Sequence, residues 1–305
     1  MPPPRGTPNP IEGPGKLGDY DVTSVVHSDT YPAIDSAKAN FNGKAVFISG
    51  ASRGLGRAMA ISFAKAGASM IAIGARSDLS TTAKEMKAAV ASVGKPEPRI
   101  LLVKFDVSDR KSVDEAADQV KKSFGHIDIV INNAGVLYIS PIVDSDPDEW
   151  SKVFQINLVG PYLVARAFIP LLLEGSDKTI ITVSSVGAHL KSPGLSAYQT
   201  SKLAVIRLTE FIATEYGNKG VLAYSIHPGN IPTNMLGDLE SAPAVLKPVF
   251  VDTAELSADS LVYLTSQKRD WLAGRYINVT WDLPELMEKE DEIVKGDKLK
   301  VRLVI

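Results

Sequence analysis

The sequence predicts an α/β fold, in which a single domain is built on a doubly wound parallel sheet with helices on both faces. Two observations lead to this prediction. Short apolar runs alternate along the chain with segments of helical spacing, which is the pattern of repeated βαβ units. Most of these runs are continuously apolar, as strands buried on both faces require.

The elements follow one another in regular alternation. The first apolar run, 44–49, ends at a glycine-rich turn, and a segment of helical spacing begins directly after it. The strand candidates are 44–49, 69–74, 99–105, 127–132, 178–184 and 221–227. The helix candidates are 57–66, 81–92, 111–124, 148–159, 196–216 and 253–265.

This alternation divides the chain into three regions. Residues 1–43 are rich in Pro, Gly, Asp and Ser, and we expect an extension that is partly disordered or draped over the surface. Residues 44–283 carry the alternating pattern and form the main domain. Residues 284–305 are a charged tail, which we expect to be a solvated appendage rather than a substrate lid or subunit contact. Its last residues, KVRLVI, fit an edge strand or a packed tail.

The composition argues against several classes of function. Apolar residues make up 45% of the chain and charged residues 22%, and the formal charge of -2 offers no basic surface for nucleic acid. The most apolar stretch, 162–173, is too short for a membrane span and contains Arg166 and Pro170. The N-terminus lacks the pattern of a secretory signal, and the absence of Cys excludes disulfides and thiolate metal sites. We therefore expect a cytoplasmic protein.

A glycine-rich turn joins the first strand candidate to the first helix candidate. Glycines suit this position because the backbone must turn tightly, approach a pyrophosphate and let the helix pack on the sheet. The N–H groups at the helix N-terminus would then face the phosphates. Plain turns also need glycine, but the position between a strand and a helix favours a Rossmann-like dinucleotide site. The turn residues expected at the cofactor are Gly50, Ser52, Arg53, Gly54, Leu55 and Gly56.

The end of the second strand bears on the choice between NAD and NADP. Arg76 and Ser77 follow this strand and are good donors to the 2′-phosphate of NADP, and Arg53 could contact the same phosphate. Each Arg could also be an ordinary surface residue. If the strand ended two residues later, Asp78 could bind the free ribose hydroxyl of NAD instead. We expect NADP(H) to be preferred, with NAD(H) as the alternative.

Two further segments follow strands on the same edge of the sheet. Asp106 and Val107 come after the third strand, where a carboxylate could accept the adenine amino group, although such an Asp is often only a helix cap. Asn133, Ala134 and Gly135 close the fourth strand. Small residues there let the backbone pass close to a ribose, although an ordinary turn would tolerate them too.

Tyr198 and Lys202 are the candidates for acid–base chemistry. They are four positions apart on a predicted helix, so their side chains share one face. A nearby ammonium favours the phenolate, and the oxidised nicotinamide would add more positive charge. Together they would bring the pKa of a tyrosine toward neutral pH, where proton transfer is most effective. Ser185, just after the fifth strand, could donate to a substrate oxygen, and Asn157 could hold a water. Taken singly, a YxxxK pair is weak evidence, but the ordered set is not.

The ordered motifs resemble those of the short-chain dehydrogenase/reductase family over about residues 44–280. They are SGASRGLG (49–56), NNAG (132–135), VSSVG (183–187), YQTSK (198–202) and HPGNIPTN (227–234). The resemblance implies that Tyr198 is the acid/base and that Ser185, rather than Ser184, positions the substrate oxygen. It also implies that Lys202 binds the nicotinamide ribose and lowers the phenol pKa, and that Asn157 supports a water that relays protons.

The same resemblance implies the remaining properties of the site. The residues matching the segment at the nicotinamide end are Pro228, Gly229, Ile231 and Thr233. The family implies hydride transfer without a metal, and a homodimer or homotetramer. The expected function is therefore NADP(H)-dependent reduction of a ketone to a secondary alcohol, or the reverse.

The substrate pocket is predicted to be apolar. Its candidates are Val136, Leu137, Tyr138, Ser185, Leu190, Leu195, Met235 and Leu236, although several could belong to the core. Such a pocket suggests a lipophilic ketone or alcohol, with segment 235–252 as a cover. A non-catalytic NADP-binding sensor or scaffold is the alternative function, because a fold alone does not prove activity. A Ser hydrolase is excluded, since the serines near His189 lack the GxSxG pattern.

Overall fold

Seven parallel strands form one sheet, in the order β3-β2-β1-β4-β5-β6-β7. The computed structural model describes residues 22–233, 235 and 249–303. The strands are β1 Ala45–Ser49, β2 Met70–Ala75, β3 Arg99–Lys104, β4 Ile129–Asn132, β5 Thr179–Val183, β6 Leu222–His227 and β7 Tyr276–Asn278. The helices are α1 Gly54–Lys65, α2 Ser80–Ser92, α3 Arg110–Phe124, α4 Pro147–Phe154, α5 Gly160–Leu173, α6 Ser196–Tyr216, α7 Ala254–Thr265, α8 Leu283–Glu288 and α9 Glu290–Lys295.

The order of the strands reverses at β1. This strand pairs in parallel with β2 on one side and with β4 on the other, so that Ile48 lies opposite both Ile73 and Ile131. The connections after β1 and β4 leave the sheet in opposite directions, and such sheets bind ligands at that point, beyond the carboxyl ends of the strands. The predicted doubly wound parallel sheet is confirmed.

Two apolar cores cover the two faces of the sheet. Successive residues of β1 point to opposite faces, so Val46 and Ile48 pack with α1, α2 and α7, whereas Ala45 and Phe47 pack with α3 and α5. All five residues of β1 are buried. The continuously apolar run that predicted this strand is therefore the consequence of helices on both faces.

The apolar stretch before β5 forms a helix that the sequence analysis left unassigned. The predicted helix 148–159 continues through a π-helical turn, Gln155–Val159, into α5. Among the described residues, Pro147–Leu173 is the one helix long and apolar enough to span a membrane, with a mean hydropathy of 1.7. Of its most apolar window 61% is buried within the protein, as in the core helix of a soluble domain, so length and composition are weak evidence here.

The described part of the N-terminal extension packs on the main domain. Ile34 and Phe41 are buried in the core around α1, and the Phe41 ring meets Phe63 edge-on, with 5.5 Å between the ring centroids. Val26 forms an antiparallel bridge with Trp281. Residues 1–21 lie outside the described part, so their predicted disorder stays a prediction.

The expectation of a solvated C-terminal tail is wrong for its first helices. Leu286 of α8 and Ile293 of α9 are buried in the same core as α1 and α7, because the apolar positions of this charged segment fall on one face. Residues 301–303 form no strand, but the Tyr276 N–H donates to Leu299 O at 2.8 Å. The tail therefore covers part of the edge of β7.

Candidate active site

The glycine-rich turn packs directly against the segment that follows β4. Gly50 has a φ of +70°, and a side chain on it would bring its Cβ within 2.8 Å of Ala134 Cα. A Cβ on Gly56 would collide with Gly50 O. Asn133 Nδ2 donates to Ser49 O at 2.9 Å and to Gly50 O at 3.2 Å. These glycines leave a bare backbone cradle at the start of α1, which fits a pyrophosphate.

Ser49 is a site residue that sequence reasoning missed. Its hydroxyl accepts from Asn133 N at 3.0 Å and from Ala134 N at 3.2 Å, so it joins the end of β1 to the end of β4. These contacts span more than 80 residues of sequence. A serine at the end of an apolar strand gives no sign of them.

The strand β2 ends at Ala75, which puts Arg76 and Ser77 immediately beyond it. The Ser77 hydroxyl donates to Ser52 Oγ at 3.1 Å, so these two hydroxyls lie between the second strand and the glycine turn. The Arg76 guanidinium lies 3.7 Å from Asp106 Oδ2 and is 64% exposed. Arg53 is the exposed N-cap residue of α1.

The carboxylates near this edge have different local roles. Asp78 accepts from both Ser80 N and Ser80 Oγ at the start of α2. Asp106 accepts from Ser108 N at 2.9 Å and from Ser108 Oγ at 2.7 Å. Burial alone would raise the pKa of Asp106, but these hydrogen bonds and the Arg76 charge together lower it, so the carboxylate is ionised at neutral pH.

Val107 packs against the start of α5. A Cβ on Gly160 would lie 3.0 Å from Val107 Cγ2, so only a glycine allows this close approach without a shift of its neighbours. Asp109, rather than Asp106, caps α3 by accepting from Lys111 N at 3.0 Å. The reading of Asp106 as the cap of α3 is therefore wrong.

The side chains of Ser185 and Tyr198 lie next to each other: a Cβ on Gly187 would be 3.2 Å from Ser185 Oγ and 3.6 Å from Tyr198 Cε1, and Ser185 acts to lower the pKa of the phenol. Ser185 Oγ also accepts from Gly187 N at 3.0 Å, which fixes its hydroxyl at the start of a 3-10 turn. The neighbouring Ser184 is buried, and its hydroxyl donates to Lys202 O at 2.8 Å. Ser185, and not Ser184, is thus the serine next to the phenol.

Lys202 is buried beneath Tyr198. Its Nζ donates to Val183 O at 2.9 Å and lies 5.6 Å from the centroid of the Tyr198 ring. Burial lowers the pKa of Lys202 to about 8, because the ammonium has lost most of its hydration. The ammonium is thus present at neutral pH but is lost at moderately alkaline pH.

The groups of the chain raise the pKa of Tyr198 rather than lower it. Burial raises it, and Ser185 only partly opposes that rise. Lys202 Nζ lies over the ring and bonds to a backbone carbonyl, rather than to the phenolic oxygen. The groups of the chain therefore do not by themselves lower the phenol pKa, and Tyr198 holds its proton at neutral pH.

Asn157 lies in the π-helical turn and is buried. Its Oδ1 accepts from Val136 N at 2.9 Å, and its Nδ2 donates to Val136 O at 2.9 Å and to Ser201 Oγ at 3.1 Å. The amide thus holds the backbone beyond Gly135 against the helix that carries Tyr198. The support of a water by Asn157 stays a prediction.

The segment 228–233 lies across from the glycine turn. A Cβ on Gly54 would be 4.0 Å from Thr233 Cγ2, and Thr233 N donates to Ile231 O at 2.8 Å. Pro228 and Gly229 begin this segment directly after β6. The candidate pyrophosphate site and the candidate nicotinamide site therefore face one another at the carboxyl edge of the sheet.

The predicted pocket residues differ in exposure. Leu190 is buried and Leu195 is half-buried, whereas Met235 is 41% exposed. The Tyr138 hydroxyl accepts from Asp146 N at 2.9 Å, so it stabilises the loop between these two residues. Leu236 and most of the predicted cover 235–252 lie outside the described residues.

An exposed apolar group lies beside the pocket, and we call Ile139, Ile142 and Val143 the apolar lip. Their exposures are 62%, 76% and 95%. Ser140 N donates to Gly194 O at 2.9 Å, which ties the lip to the loop just before Tyr198. The sequence analysis did not single out these residues, because the sequence alone does not distinguish an exposed apolar residue of a loop from a buried core residue.

Comparisons with known proteins agree with this geometry. A profile of the short chain dehydrogenase family matches residues 44–244. The chain is 57% identical over its full length to the short chain dehydrogenase pigC of Monascus ruber, which it also covers completely. It is 54% identical to the short chain dehydrogenase tazN of Aspergillus terreus over 96% of the chain, and it spans 63% of that relative's length.

Solved structures are similar as well. A short-chain type dehydrogenase/reductase from Mycobacterium marinum matches with a TM-score of 0.70 and 28% identity, over 81% of this chain and 97% of that one. A carveol dehydrogenase from Mycobacterium avium in complex with NAD matches with a TM-score of 0.70 and 24% identity, over 81% of this chain and 99% of that one. At this identity the match shows a shared fold and nothing further about function. The chain belongs to the short-chain dehydrogenase family and is an oxidoreductase that acts on alcohol or carbonyl groups with a nicotinamide cofactor.

Proposed function

We propose that the protein is an NADP(H)-dependent reductase that converts a lipophilic ketone to a secondary alcohol, with the reverse reaction as its counterpart. The observation that carries the proposal is the placement of Ser185 beside Tyr198, above the buried Lys202. It stands at the edge where the glycine turn and segment 228–233 face one another. An acid, a hydrogen-bond donor and a cation are thereby gathered next to a dinucleotide cradle.

The side chains of the site divide the proton chemistry among them. When bound, the nicotinamide supplies the hydride for the carbonyl carbon. The hydroxyls of Ser185 and Tyr198 offer two donors to one substrate oxygen, and Tyr198 gives up its proton as charge develops there. Lys202 then stabilises the phenolate through its charge. Asn157 holds the backbone at Val136, which keeps the wall of the site in place.

The raised pKa of Tyr198 favours the reductive direction. A phenol that keeps its proton at neutral pH is in the form that reduction consumes, whereas oxidation needs the phenolate. The ammonium of Lys202 is present at the same pH, since its pKa is about 8. The two groups therefore start in the protonation states that a ketone reductase requires.

The preference for NADP(H) rests on the groups beyond β2. Arg76, Ser77 and Ser52 are donors beyond the end of β2, where the ribose 2′-substituent is expected, while Asp78 accepts from Ser80. The contact of Arg76 with Asp106 is exposed and long, so it costs little to exchange for a phosphate.

Replacing Arg76 by Asp tests this preference. We expect kcat/KM for NADPH to fall about 100-fold, because a charge-assisted hydrogen bond is lost and a repulsion is gained, while kcat/KM for NADH changes by about threefold or less. Initial rates with both cofactors give the two ratios. Arg110→Asp, a surface change beside Asp114, is the control and should alter neither. Equal losses with both cofactors in Arg76→Asp would refute the preference.

The lipophilic character of the substrate rests on the pocket and the apolar lip. Exposed apolar groups beside a cleft mark a ligand-binding surface. Across a series of methyl alkyl ketones we expect kcat/KM to rise about fourfold for each added methylene until the lip is covered, given about 0.8 kcal/mol per buried methylene. The Ile142→Ser variant should flatten this rise, whereas Val294→Ser, on the exposed face of α9, should leave it unchanged. A rate that is independent of chain length would contradict the proposal.

We also propose a homodimer or homotetramer, as the family resemblance implies, and a location in the cytoplasm, as the composition suggests. Exposed Tyr162 of α5 and Phe211 of α6 offer an apolar surface on the helical face for such an assembly.

A further inference from the structure

Asp252 is a buried carboxylate behind segment 228–233. It ends the predicted cover 235–252, and the sequence analysis gave its side chain no role of its own. It is 3% exposed. Its Oδ2 accepts from Asn230 N at 2.6 Å, and its own N–H donates to Asn230 O at 3.2 Å. These two contacts clamp residues that are 22 positions apart.

The clamp shapes the turn before Asn230. Gly229 has a φ of +89°, which side-chain-bearing residues rarely adopt. A Cβ there would lie 3.0 Å from Asp252 Oδ2 and 3.1 Å from Asp252 Cβ. The backbone of the turn therefore lies directly on the carboxylate, and its position depends on where Asp252 is held.

Burial is costly for this carboxylate. It raises the pKa of Asp252 to about 6, even though the hydrogen bond from Asn230 acts in the opposite direction. A buried charge of this kind does not by itself stabilise a fold. The contact is thus better explained by the geometry that it imposes on segment 228–233 than by a gain in stability.

The N-terminal arm, residues 22–31, binds the residue that follows Asp252. Thr253, the next residue and the N-cap of α7, donates its N–H to Ser28 O at 2.8 Å and its hydroxyl to Asp29 Oδ1 at 2.8 Å. Further along the arm, Thr30 Oγ1 donates to Asp259 Oδ2 at 2.7 Å.

The arm is itself anchored at both ends. Ser24 donates from its N–H and its hydroxyl to Glu285 of α8, and His27 N donates to Thr280 O at 2.7 Å. At the other end, Asp259 also accepts from Ser62 of α1 at 2.7 Å. The arm therefore braces the start of α7 against α8 and against the helix of the glycine turn.

We propose that Asp252 is a positioning residue for the nicotinamide-binding segment 228–233, and that the N-terminal arm holds Asp252 in place through Thr253. This inference rests on the proposed function, in which segment 228–233 binds the nicotinamide. Asp252 acts on the cofactor only through the backbone of Gly229 and Asn230. It therefore affects the nicotinamide half of the cofactor and leaves the adenosine half, held beyond β2, unchanged.

Equilibrium binding of two ligands to the full-length protein tests the proposal. NADPH contains the nicotinamide, whereas 2′-phospho-ADP-ribose is the corresponding molecule without it. For Asp252→Ala we expect the Kd of NADPH to rise about tenfold, because Asn230 N–H loses its buried acceptor, and the Kd of 2′-phospho-ADP-ribose to stay within about twofold. Asp252→Asn keeps an acceptor oxygen and should restore most of the NADPH affinity.

Two further variants complete the experiment. Asp29→Ala, an exposed change, removes the acceptor of the Thr253 hydroxyl. It should raise the Kd of NADPH about threefold and leave the Kd of 2′-phospho-ADP-ribose unchanged. Asp128→Ala is the matched control. Asp128 is equally buried and holds Ala45 N and Ser176 N, but at the amino edge of the sheet, so it should lower Tm and leave both Kd values unchanged.

The outcomes separate this inference from the proposed function. Suppose that wild type binds both ligands. If Asp252→Ala then binds NADPH as tightly as wild type does, or loses affinity for both ligands equally, the positioning role is overturned and the proposed function is not. If wild type binds neither ligand, the proposed function and this inference both fail.

Discussion

Replacing Tyr198 by Phe should lower kcat about 1000-fold and leave the Kd of the cofactor within about twofold of wild type. The substitution removes the proton that the substrate oxygen receives but keeps the ring over Lys202 Nζ. Single-turnover reduction, followed by the loss of NADPH absorbance, measures the chemical step without product release.

Tyr224→Phe is the control for this change. Tyr224 is a buried tyrosine of β6 whose hydroxyl has no hydrogen-bond partner among the described residues. Its substitution should leave kcat unchanged. If Tyr198→Phe kept more than about a tenth of wild-type kcat, the proton would have to come from another group, and the acid–base assignment would fall.

Replacing Lys202 by Met should have two effects with different pH dependence. At pH 7 we expect kcat to fall about 100-fold, because the charge that stabilises the phenolate is lost. The burial that lowers the pKa of Lys202 to about 8 also costs folding stability while the group is charged. Between pH 8 and about 10.5 the folded wild type binds fewer protons than its unfolded chain, so its stability rises with pH relative to the variant.

The expected size of this relative rise is about 3 kcal/mol across that window, from about 1.4 kcal/mol per pKa unit. Urea unfolding of both proteins at a series of pH values measures it, and groups shared by the two proteins cancel in the difference. Lys95→Met, which removes a lysine that donates to Ala39 O at the N-terminal edge of the domain, should leave kcat unchanged. If the difference in free energy of unfolding between wild type and Lys202→Met did not change with pH, burial would not lower the pKa of Lys202 in the folded protein.

The fold was largely predictable because most strands, unlike the edge strand β3, are buried on both faces. β1 and β2 are continuous apolar runs. Such a run predicts a buried strand without knowledge of the distant residues that pack on it. β7, with only three residues, is too short to produce a pattern. The continuation of the helix beyond residue 159 was missed because Gly160 and Pro161 interrupt the sequence pattern, although a proline is tolerated in the first turn of α5.

The site residues that belong to a sequence motif were predictable. Those that are brought to the site by contacts between distant parts of the chain were not. Tyr198, Lys202 and Ser185 lie together as their spacing suggested. Asp252 looked like an ordinary residue before a helix cap, because its partner Asn230 is distant in sequence. The chain by itself raises the pKa of Tyr198, which the YxxxK spacing could not show because burial is a property of the folded site; the lowering expected with the oxidised nicotinamide bound stays a prediction.

Transfer of deuterium tests the central claim most directly. The protein is incubated with a ketone that it reduces and with NADPH labelled with deuterium at the transferring position of the nicotinamide, and the product is analysed by mass spectrometry. The proposed reaction predicts one deuterium on the carbinol carbon, none on the hydroxyl after exchange in water, and slower labelling in Tyr198→Phe. Binding of NADPH without deuterium in any product, across a panel of lipophilic ketones, would contradict it.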